Sequence, residues 1–393
     1  MKQTWRPLLL GSIFILGIAR ADVLDNWTTN QITTNSFKLN HIVYGNGRYV
    51  AAGEQGDAGG IFSSEDGSTW ILRYSDNNAW GLTLTYSGGR FVGVGGWETA
   101  ISTNGTNWTV SFLPTAYGYF NYPFGYATDM TCGNGLYVAV GDTNNVGFII
   151  TSTDAVNWTP RNSSPAIGGH IQSVAYGASK FVAVGNNDGL EYTSTTGTGT
   201  WTRRSIPGGN QISFGNGLFI VPLTGNSNLL STDGINWSMQ NTGLTNKLGK
   251  VTYASGLFLA RLGNYLVTSS DGTNWLQYPQ QLPGNVTGDA TVATDGKRLL
   301  TMGRAVVDIL IYNSFVYSSD VLVSVRQTNK QPSTVVLSGL VGRNYQIQST
   351  ENLKSASSNW RTNTAMQLTN TPFVWTDPAP TNTARFYRGV LLP

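Results

Sequence analysis

One seven-residue phrase decides the fold of this chain. It reads Ser64-Glu65-Asp66-Gly67-Ser68-Thr69-Trp70 and returns as Ser102-Thr103-Asn104-Gly105-Thr106-Asn107-Trp108. Further copies end at Trp158, Trp201, Trp237 and Trp275, and a seventh, Ser318-Ser319-Asp320, lacks its Trp. In this phrase, here named the box, the Asp can accept N–H groups of its own turn, Gly takes a positive φ and Trp covers the hairpin. Recurrence along most of the chain indicates a repeat architecture.

A second phrase precedes each box and indicates another hairpin. It reads Tyr44-Gly45-Asn46-Gly47 in the first repeat and Phe214-Gly215-Asn216-Gly217 in the fifth. Asn-Gly between alternating apolar segments is a strong hairpin signal. Each repeat therefore holds four strands, and its period of about 42 residues is that of a propeller blade. The sequence predicts an all-β fold with a seven-bladed β-propeller over residues 22–320.

The start of the chain supplies what the last repeat lacks. Asp25-Asn26-Trp27-Thr28 matches the residues that complete a box elsewhere, as in Val156-Asn157-Trp158-Thr159. We therefore expect the N-terminal strand to complete the last blade. This closure would remove open sheet edges without a disulfide.

The boxes resemble those of the Asp-box (BNR) propellers, a group that includes sialidases, sortilin-type receptors and a photosystem assembly factor. The resemblance covers roughly residues 25–320. It implies that the boxes lie between the third and fourth strands of each blade, on the face opposite the ligand site. It does not extend to sialidase activity, because the Arg-Ile-Pro phrase is missing.

Residues 1–21 have the features of a signal peptide. Lys2 and Arg6 precede an apolar run that ends at Ala19-Arg20-Ala21, a small-x-small cleavage pattern. Cleavage would remove three basic residues and no acidic one, leaving the mature chain formally neutral. We expect a secreted, periplasmic or cell-surface protein with no transmembrane segment after cleavage. The charge balance argues against nucleic acid as a partner.

Residues 321–393 follow a different pattern. Period-2 runs such as Tyr345-Gln346-Ile347-Gln348 predict a small all-β module. Together with Phe373-Val374-Trp375-Thr376 and Arg385-Phe386-Tyr387-Arg388, they resemble a C-terminal β-sandwich of secreted Verrucomicrobia proteins. The resemblance implies an accessory or attachment domain. The alternative is a packing extension docked on the propeller.

An aromatic segment, residues 109–128, is the first candidate for a binding surface. Exposed aromatic rings beside carboxylates suit the C–H faces and hydroxyl edges of sugars. The alternative is that the rings are buried at the rim or against the C-terminal module. The candidate residues in this sector are Trp80, Trp97, Glu98, Tyr117, Tyr119, Tyr122 and Tyr126.

The start of the innermost strands is the second candidate. Alignment on the Tyr-Gly turns places His41, Asp129 and Lys250 at equivalent positions, together with Thr83, Ser173, Gln211 and Ala290. Such a ring could bind a polar ligand or supply a general acid and base. The alternative is a structural lining that binds channel waters. His170 lies three residues ahead of the ring position in its repeat.

Three functions remain open. We expect a non-catalytic, monomeric propeller that binds a glycan or an extracellular protein through the face opposite the boxes. The alternatives are a polysaccharide-active hydrolase or lyase, and an interaction or assembly scaffold. No catalytic residue is assigned, and we expect no cofactor and no metal. One Cys excludes an intramolecular disulfide, and two His residues exclude a three-histidine zinc site.

Overall fold

The computed structural model describes most of the predicted propeller and six strands beyond it. The described residues are 27–31, 38–55, 58–79, 81–96, 98–113, 126–143, 146–161, 163–164, 167–185, 189–254, 256–281, 291–295, 299–302, 308–312, 322–326, 334–338, 344–350, 361–367, 373–376 and 386–391. Every helix or strand element in these ranges is a β-strand. The all-β prediction is confirmed for this part of the chain. No described segment forms a helix with the length and apolarity needed to span a membrane.

Six blades are antiparallel sheets whose four core strands follow one another in the chain. Blade 1 has β2 (Lys38–Gly45), β3 (Arg48–Gln55), β4 (Ala58–Ser64) and β5 (Ile71–Asp76). Blade 2 has β6 (Thr83–Ser87), β7 (Arg90–Gly95), β8 (Glu98–Ser102) and β9 (Thr109–Phe112). Blade 3 has β10 (Tyr126–Gly133), β11 (Leu136–Thr143), β12 (Val146–Ser152) and β13 (Thr159–Pro160). This order of strands is that of a β-propeller.

The other three blades repeat this order. Blade 4 has β15 (Ile171–Gly177), β16 (Lys180–Gly185), β17 (Leu190–Ser194) and β18 (Trp201–Ser205), and a short parallel strand, β14 (Ser163–Ser164), joins its outer edge. Blade 5 has β19 (Ser213–Gly215), β20 (Leu218–Pro222), β21 (Ser227–Ser231) and β22 (Ser238–Asn241). Blade 6 has β23 (Thr252–Ala254), β24 (Leu257–Leu262), β25 (Tyr265–Ser269) and β26 (Leu276–Gln281).

A further four-stranded sheet combines strands from both ends of the propeller segment. Its strands are β1 (Trp27–Gln31), β27 (Val292–Thr294), β28 (Leu299–Met302) and β29 (Asp308–Tyr312), in the order β1-β29-β28-β27. The pairing of β1 with β29 is antiparallel and runs from Trp27 opposite Tyr312 to Gln31 opposite Asp308. Its innermost strand, β27, contacts the first strands of blades 1 and 6.

Aromatic rings hold neighbouring blades together at the Tyr-Gly turns. A Cβ placed on Gly45 would overlap the ring of Tyr86 in the next blade, and one on Gly133 would overlap Tyr176. The same relation joins Gly177 to Phe214 and Gly215 to Tyr253. Glycine is required here because the next blade's ring lies directly on the backbone. The Tyr-Gly phrase therefore specifies contacts between blades as well as a hairpin.

The box turns satisfy their own polar groups. In blade 1, Asp66 Oδ1 accepts the backbone N–H groups of Ser68 at 2.8 Å and Thr69 at 2.7 Å. The hydroxyl of Ser64 donates to Asp66 at 2.9 Å and accepts the N–H of Gly67 at 2.8 Å. Equivalent bonds recur around Asn104, Asp154, Asp233 and Asp271. Backbone N–H donors hold the pKa of Asp154 and Asp233 well below the usual range, so these carboxylates stay ionised as structural acceptors.

Six strands lie beyond the propeller segment and form two three-stranded antiparallel sheets. The strands are β30 (Leu322–Arg326), β31 (Thr334–Ser338), β32 (Asn344–Thr350), β33 (Arg361–Gln367), β34 (Phe373–Thr376) and β35 (Phe386–Leu391). One sheet has the order β30-β31-β34 and the other β33-β32-β35, and strands β30 and β35 are in contact. Tyr345 and Ile347 in β32 are fully buried.

Candidate functional site

The two faces of the propeller carry different chemistry. The Tyr-Gly turns and the boxes share one face, because each first strand and each third strand runs toward it. The opposite face, here named the loop face, carries the starts of the first and third strands and the connections between blades. The titratable side chains described below lie toward the loop face or in the interior.

A β-bulge recurs in the innermost strands of three blades. In β2 the register shifts between Leu39 and His41, in β10 between Ala127 and Asp129, and in β15 between Ile171 and Ser173. A bulge turns the following side chain away from the regular alternation. His41, Asp129 and Ser173 therefore occupy equivalent positions, as the sequence alignment of these three residues predicts.

Asp129 is the centre of a buried polar cluster that joins three blades. Lys250, which precedes the first strand of blade 6, donates from Nζ to Asp129 Oδ1 at 2.9 Å. Ser173 of blade 4 donates to Oδ2 at 2.5 Å, and the N–H of Val174 donates to the same oxygen at 3.2 Å. The N–H of Met130 donates to Oδ1 at 3.0 Å. These contacts satisfy both carboxylate oxygens. Asp129, Lys250, Ser173 and His41 are here named the axial cluster.

The axial cluster keeps Asp129 ionised although it is buried. Burial by itself would raise the pKa of this carboxyl. The positive charge of Lys250, followed by that of His41 and the hydrogen bond from Ser173, outweighs burial and lowers the pKa below its usual value. Asp129 and Lys250, to which the alignment of repeats gives equivalent positions, are thus in direct contact as a buried ion pair.

The remaining ring positions are polar but not equally placed. Thr83 is buried, and no described group bonds its hydroxyl oxygen. Gln211 is also buried. Ala290 lies outside the described residues. Thr291 accepts the N–H of Ile42 at 3.2 Å, as Ser173 accepts that of Ile212. This contact assigns Thr291, not Ala290, to the ring position beside blade 1. The strand register differs there, because Thr294 pairs with Leu299 whereas Gly45 pairs with Arg48.

Glu98 lies at the start of the third strand of blade 2 and contacts blade 1. Tyr74 donates its hydroxyl to Glu98 Oε2 at 2.6 Å. Burial, reinforced by the charge of Asp76, raises the pKa of Glu98 despite the hydrogen bond from Tyr74. Burial and the neighbouring carboxylate also raise the pKa of Tyr74. Glu98 is thus a buried carboxyl between two blades, with little of its surface exposed to a ligand.

The aromatic candidates stay predictions. Trp80, Trp97, Tyr117, Tyr119 and Tyr122 lie outside the described residues. Of Tyr126 the structure describes the backbone, which pairs with Asp142 in β11. Phe112, at the start of the same segment, is 69% exposed, the largest exposure among the large apolar side chains described as exposed.

Two arrangements were missed by sequence reasoning. His170 Nδ1 lies 2.6 Å from Asp142 Oδ2 on the loop face, between blades 3 and 4. Glu191, in the third strand of blade 4, is fully buried and accepts the indole N–H of Trp237 at 2.9 Å. Each pair is separated by at least 28 positions in the chain, so local pattern could not connect them. The alternation in β17 gives no signal for the burial of Glu191, because residues 191–194 are all buried.

Comparison with known proteins agrees with the propeller fold. Residues 152–305 match a family model described as the DUF6242 beta propeller domain. A search of curated proteins finds no match. The matched segment runs from the box of blade 3 to the strands after blade 6, so it contains three complete blades.

Solved structures with a similar fold include proteins of different function. The chain is 18% identical to YCF48 bound to D1 peptide, with a TM-score of 0.57, covering 73% of this chain and 95% of that one. YCF48 from Cyanidioschyzon merolae gives 17% identity and a TM-score of 0.53, covering 72% and 98%. Virginiamycin B lyase from Staphylococcus aureus gives 15% identity and a TM-score of 0.59, covering 73% and 98%. At these identities the similarity shows the fold alone: the protein is a β-propeller.

Proposed function

We propose that this protein is an exported β-propeller that binds a glycan through its loop face and does so as a binding module. The observation that carries the proposal is the axial cluster, in which Asp129, Lys250 and Ser173 come from three blades. Its contacts tie the inner strands of three blades together near the loop face, whereas each box carboxylate only closes its own turn. Loops held by such a rigid frame are where binding function usually resides.

The glycan is favoured by the neighbouring aromatic sequence. The sequence positions of the aromatic candidates support the proposal, because the described strands that precede and follow them begin or end on the loop face. The candidates are Trp80, Trp97, Tyr117, Tyr119 and Tyr122. Aromatic planes beside polar groups are the chemistry that recognises sugar rings. The formally neutral mature chain gives no long-range attraction to a polyanion.

A closed ring of seven blades is part of the proposal. The sheet that contains β1 contacts blade 1 as one blade contacts the next. Asp295 donates its N–H to the hydroxyl oxygen of Tyr49 in blade 1. At the equivalent turn, Tyr137 of blade 3 donates its hydroxyl to the carbonyl of Ser87 in blade 2. A Cβ on Gly67 would lie 2.9 Å from Leu300, as one on Gly234 would lie 2.6 Å from Val182 of the preceding blade.

The flanking segments complete the proposed organisation. We take residues 1–21 as a signal peptide, as the sequence predicts. The two C-terminal sheets contact each other through β30 and β35 and bury Tyr345 and Ile347, which supports a small β-sandwich. Its role would be accessory attachment, not catalysis.

A protein ligand is the second candidate. A structure similar to this chain is that of YCF48 bound to D1 peptide. That similarity is one of fold, and it makes an extended peptide a reasonable ligand class for the same face. The aromatic rings would then contact side chains of the peptide.

Binding of the mature protein to a glycan array and to a peptide library tests the proposal. The proposal is supported if the wild type binds a glycan and the W97A and Y119A variants bind the same glycan at least tenfold more weakly. Met239→Ala is the matched control, because Met239 is 57% exposed on the outermost strand of blade 5, away from the loop face. Glycan affinity unchanged in both aromatic variants, or equally reduced in the control, would show that the loop face is not the binding surface.

A further inference from the structure

His170 and Asp142 form a side-chain pair that the binding function does not require. The two atoms in contact are Nδ1 and Oδ2, 2.6 Å apart. The His170 side chain is 35% exposed and that of Asp142 is 15% exposed. A carboxylate that holds Nδ1–H fixes the tautomer of a neutral imidazole and leaves Nε2 as a proton acceptor.

The backbone that carries His170 is held in place from two sides. Tyr192 donates its hydroxyl to the carbonyl of Gly168 at 2.9 Å and accepts the N–H of the same residue at 3.0 Å. The N–H of Gly147 donates to the carbonyl of Gly169 at 2.6 Å. An exposed ion pair contributes little to stability and needs no such support. A fixed backbone, in contrast, is what a proton-transfer group requires.

The surroundings of the pair suit a sugar derivative. Asp142 lies opposite Tyr126, the residue at which the described part of the aromatic segment resumes. Arg203 lies beside the same loop, with its Nη1 atom 3.2 Å from where a Cβ of Gly168 would be. This contact places a positively charged group beside the loop that carries His170.

We propose that His170 and Asp142 act as a general-base dyad that hydrolyses acyl esters on the bound glycan. The water oxygen attacks the acyl carbon while one water proton moves to His170 Nε2. The tetrahedral intermediate then breaks its bond to the sugar oxygen, which takes the proton back from Nε2. The products are a carboxylic acid and the free sugar hydroxyl, and Asp142 stabilises the imidazolium that forms.

Acetate release from acetylated oligosaccharides by the mature protein tests the dyad. We expect turnover by the wild type and a decrease of at least about a hundredfold in kcat for His170→Gln. Asp142→Asn is expected to lower kcat with little change in KM, because Asp142 positions the imidazole without touching the substrate. Glu65→Gln is the control, since Glu65 is an exposed carboxylate on the box face.

The outcomes separate this inference from the proposed function, on which its choice of substrate depends. Glycan binding without acetate release by the folded wild type would overturn the dyad and leave the binding function intact. A His170→Gln variant that releases acetate at the wild-type rate would also overturn the dyad. A downfield Nδ1–H proton resonance that is present in the wild type and lost in Asp142→Asn would support it independently of activity. Absence of that resonance in the wild type would contradict the fixed tautomer.

Discussion

Glu191 makes the stability of the propeller depend on pH near neutrality. Its side chain is fully buried, Oε2 accepts the N–H of Trp237, and no described group bonds Oε1. Burial raises the pKa of this carboxyl from 4.5 to about 7, against the opposing effect of the Trp237 hydrogen bond. In the folded protein Glu191 therefore holds its proton over a pH range in which the unfolded chain releases it.

The sign and size of the effect follow from linkage. The folded state binds more protons than the unfolded state between pH 4.5 and about 7. The stabilising contribution is therefore fully present below pH 4.5 and is lost as the pH rises through 7. The difference between the two pKa values corresponds to about 3 kcal/mol of unfolding free energy.

Glu191→Gln removes this dependence because Gln has nearly the shape of a protonated Glu and does not ionise. We expect the variant to gain about 2 to 3 kcal/mol relative to the wild type between pH 5 and pH 8. Urea unfolding at both pH values measures the difference, and taking it between the two proteins cancels the other titrating groups. A difference that does not change with pH would refute a raised pKa for Glu191. At pH 5 the folded forms of both proteins carry an uncharged side chain at position 191, so the comparison there mainly measures the effect of the amide group.

Three further changes test other parts of the structure. Gly234→Ala should lower the free energy of unfolding by about 2 to 4 kcal/mol, because φ at this position is 67° and a Cβ would lie 2.6 Å from Val182. Gly217→Ala is the control: its φ is 74° but the space around it is open, so it should lower the free energy by about 1 kcal/mol. Denaturant unfolding measures both values. Lys250→Met should cost about 3 to 5 kcal/mol by leaving Asp129 buried without its cation, and an unchanged melting temperature would contradict the ion pair. Deleting residues 22–37 removes β1 and should lower the melting temperature strongly, while an unchanged value would show that β1 contributes little.

The axial cluster shows how far alignment of repeats can predict a site. Equal spacing from the Tyr-Gly turns was sufficient to place His41, Asp129 and Ser173 together, because the same bulge recurs in each strand. The same counting assigned Ala290, whereas the contact to Ile42 belongs to Thr291. A turn of different length changes the spacing locally, and the sequence carries no signal for where the strand pairing resumes.

The fold class was determined by the sequence itself. Box and Tyr-Gly phrases are short-range: each turn satisfies its polar groups within about five residues, so the chain alone specifies hairpins, and their recurrence specifies blades. The contacts between blades were decided by the tertiary structure. The contacts of His170 with Asp142 and of Glu191 with Trp237 join residues that no sequence pattern relates. For Asp129 and Lys250 the alignment of repeats gives equivalent positions but no distance. These contacts depend on how blades pack around the axis, and the ionisation of these groups depends on burial, which exists only once the blades are assembled.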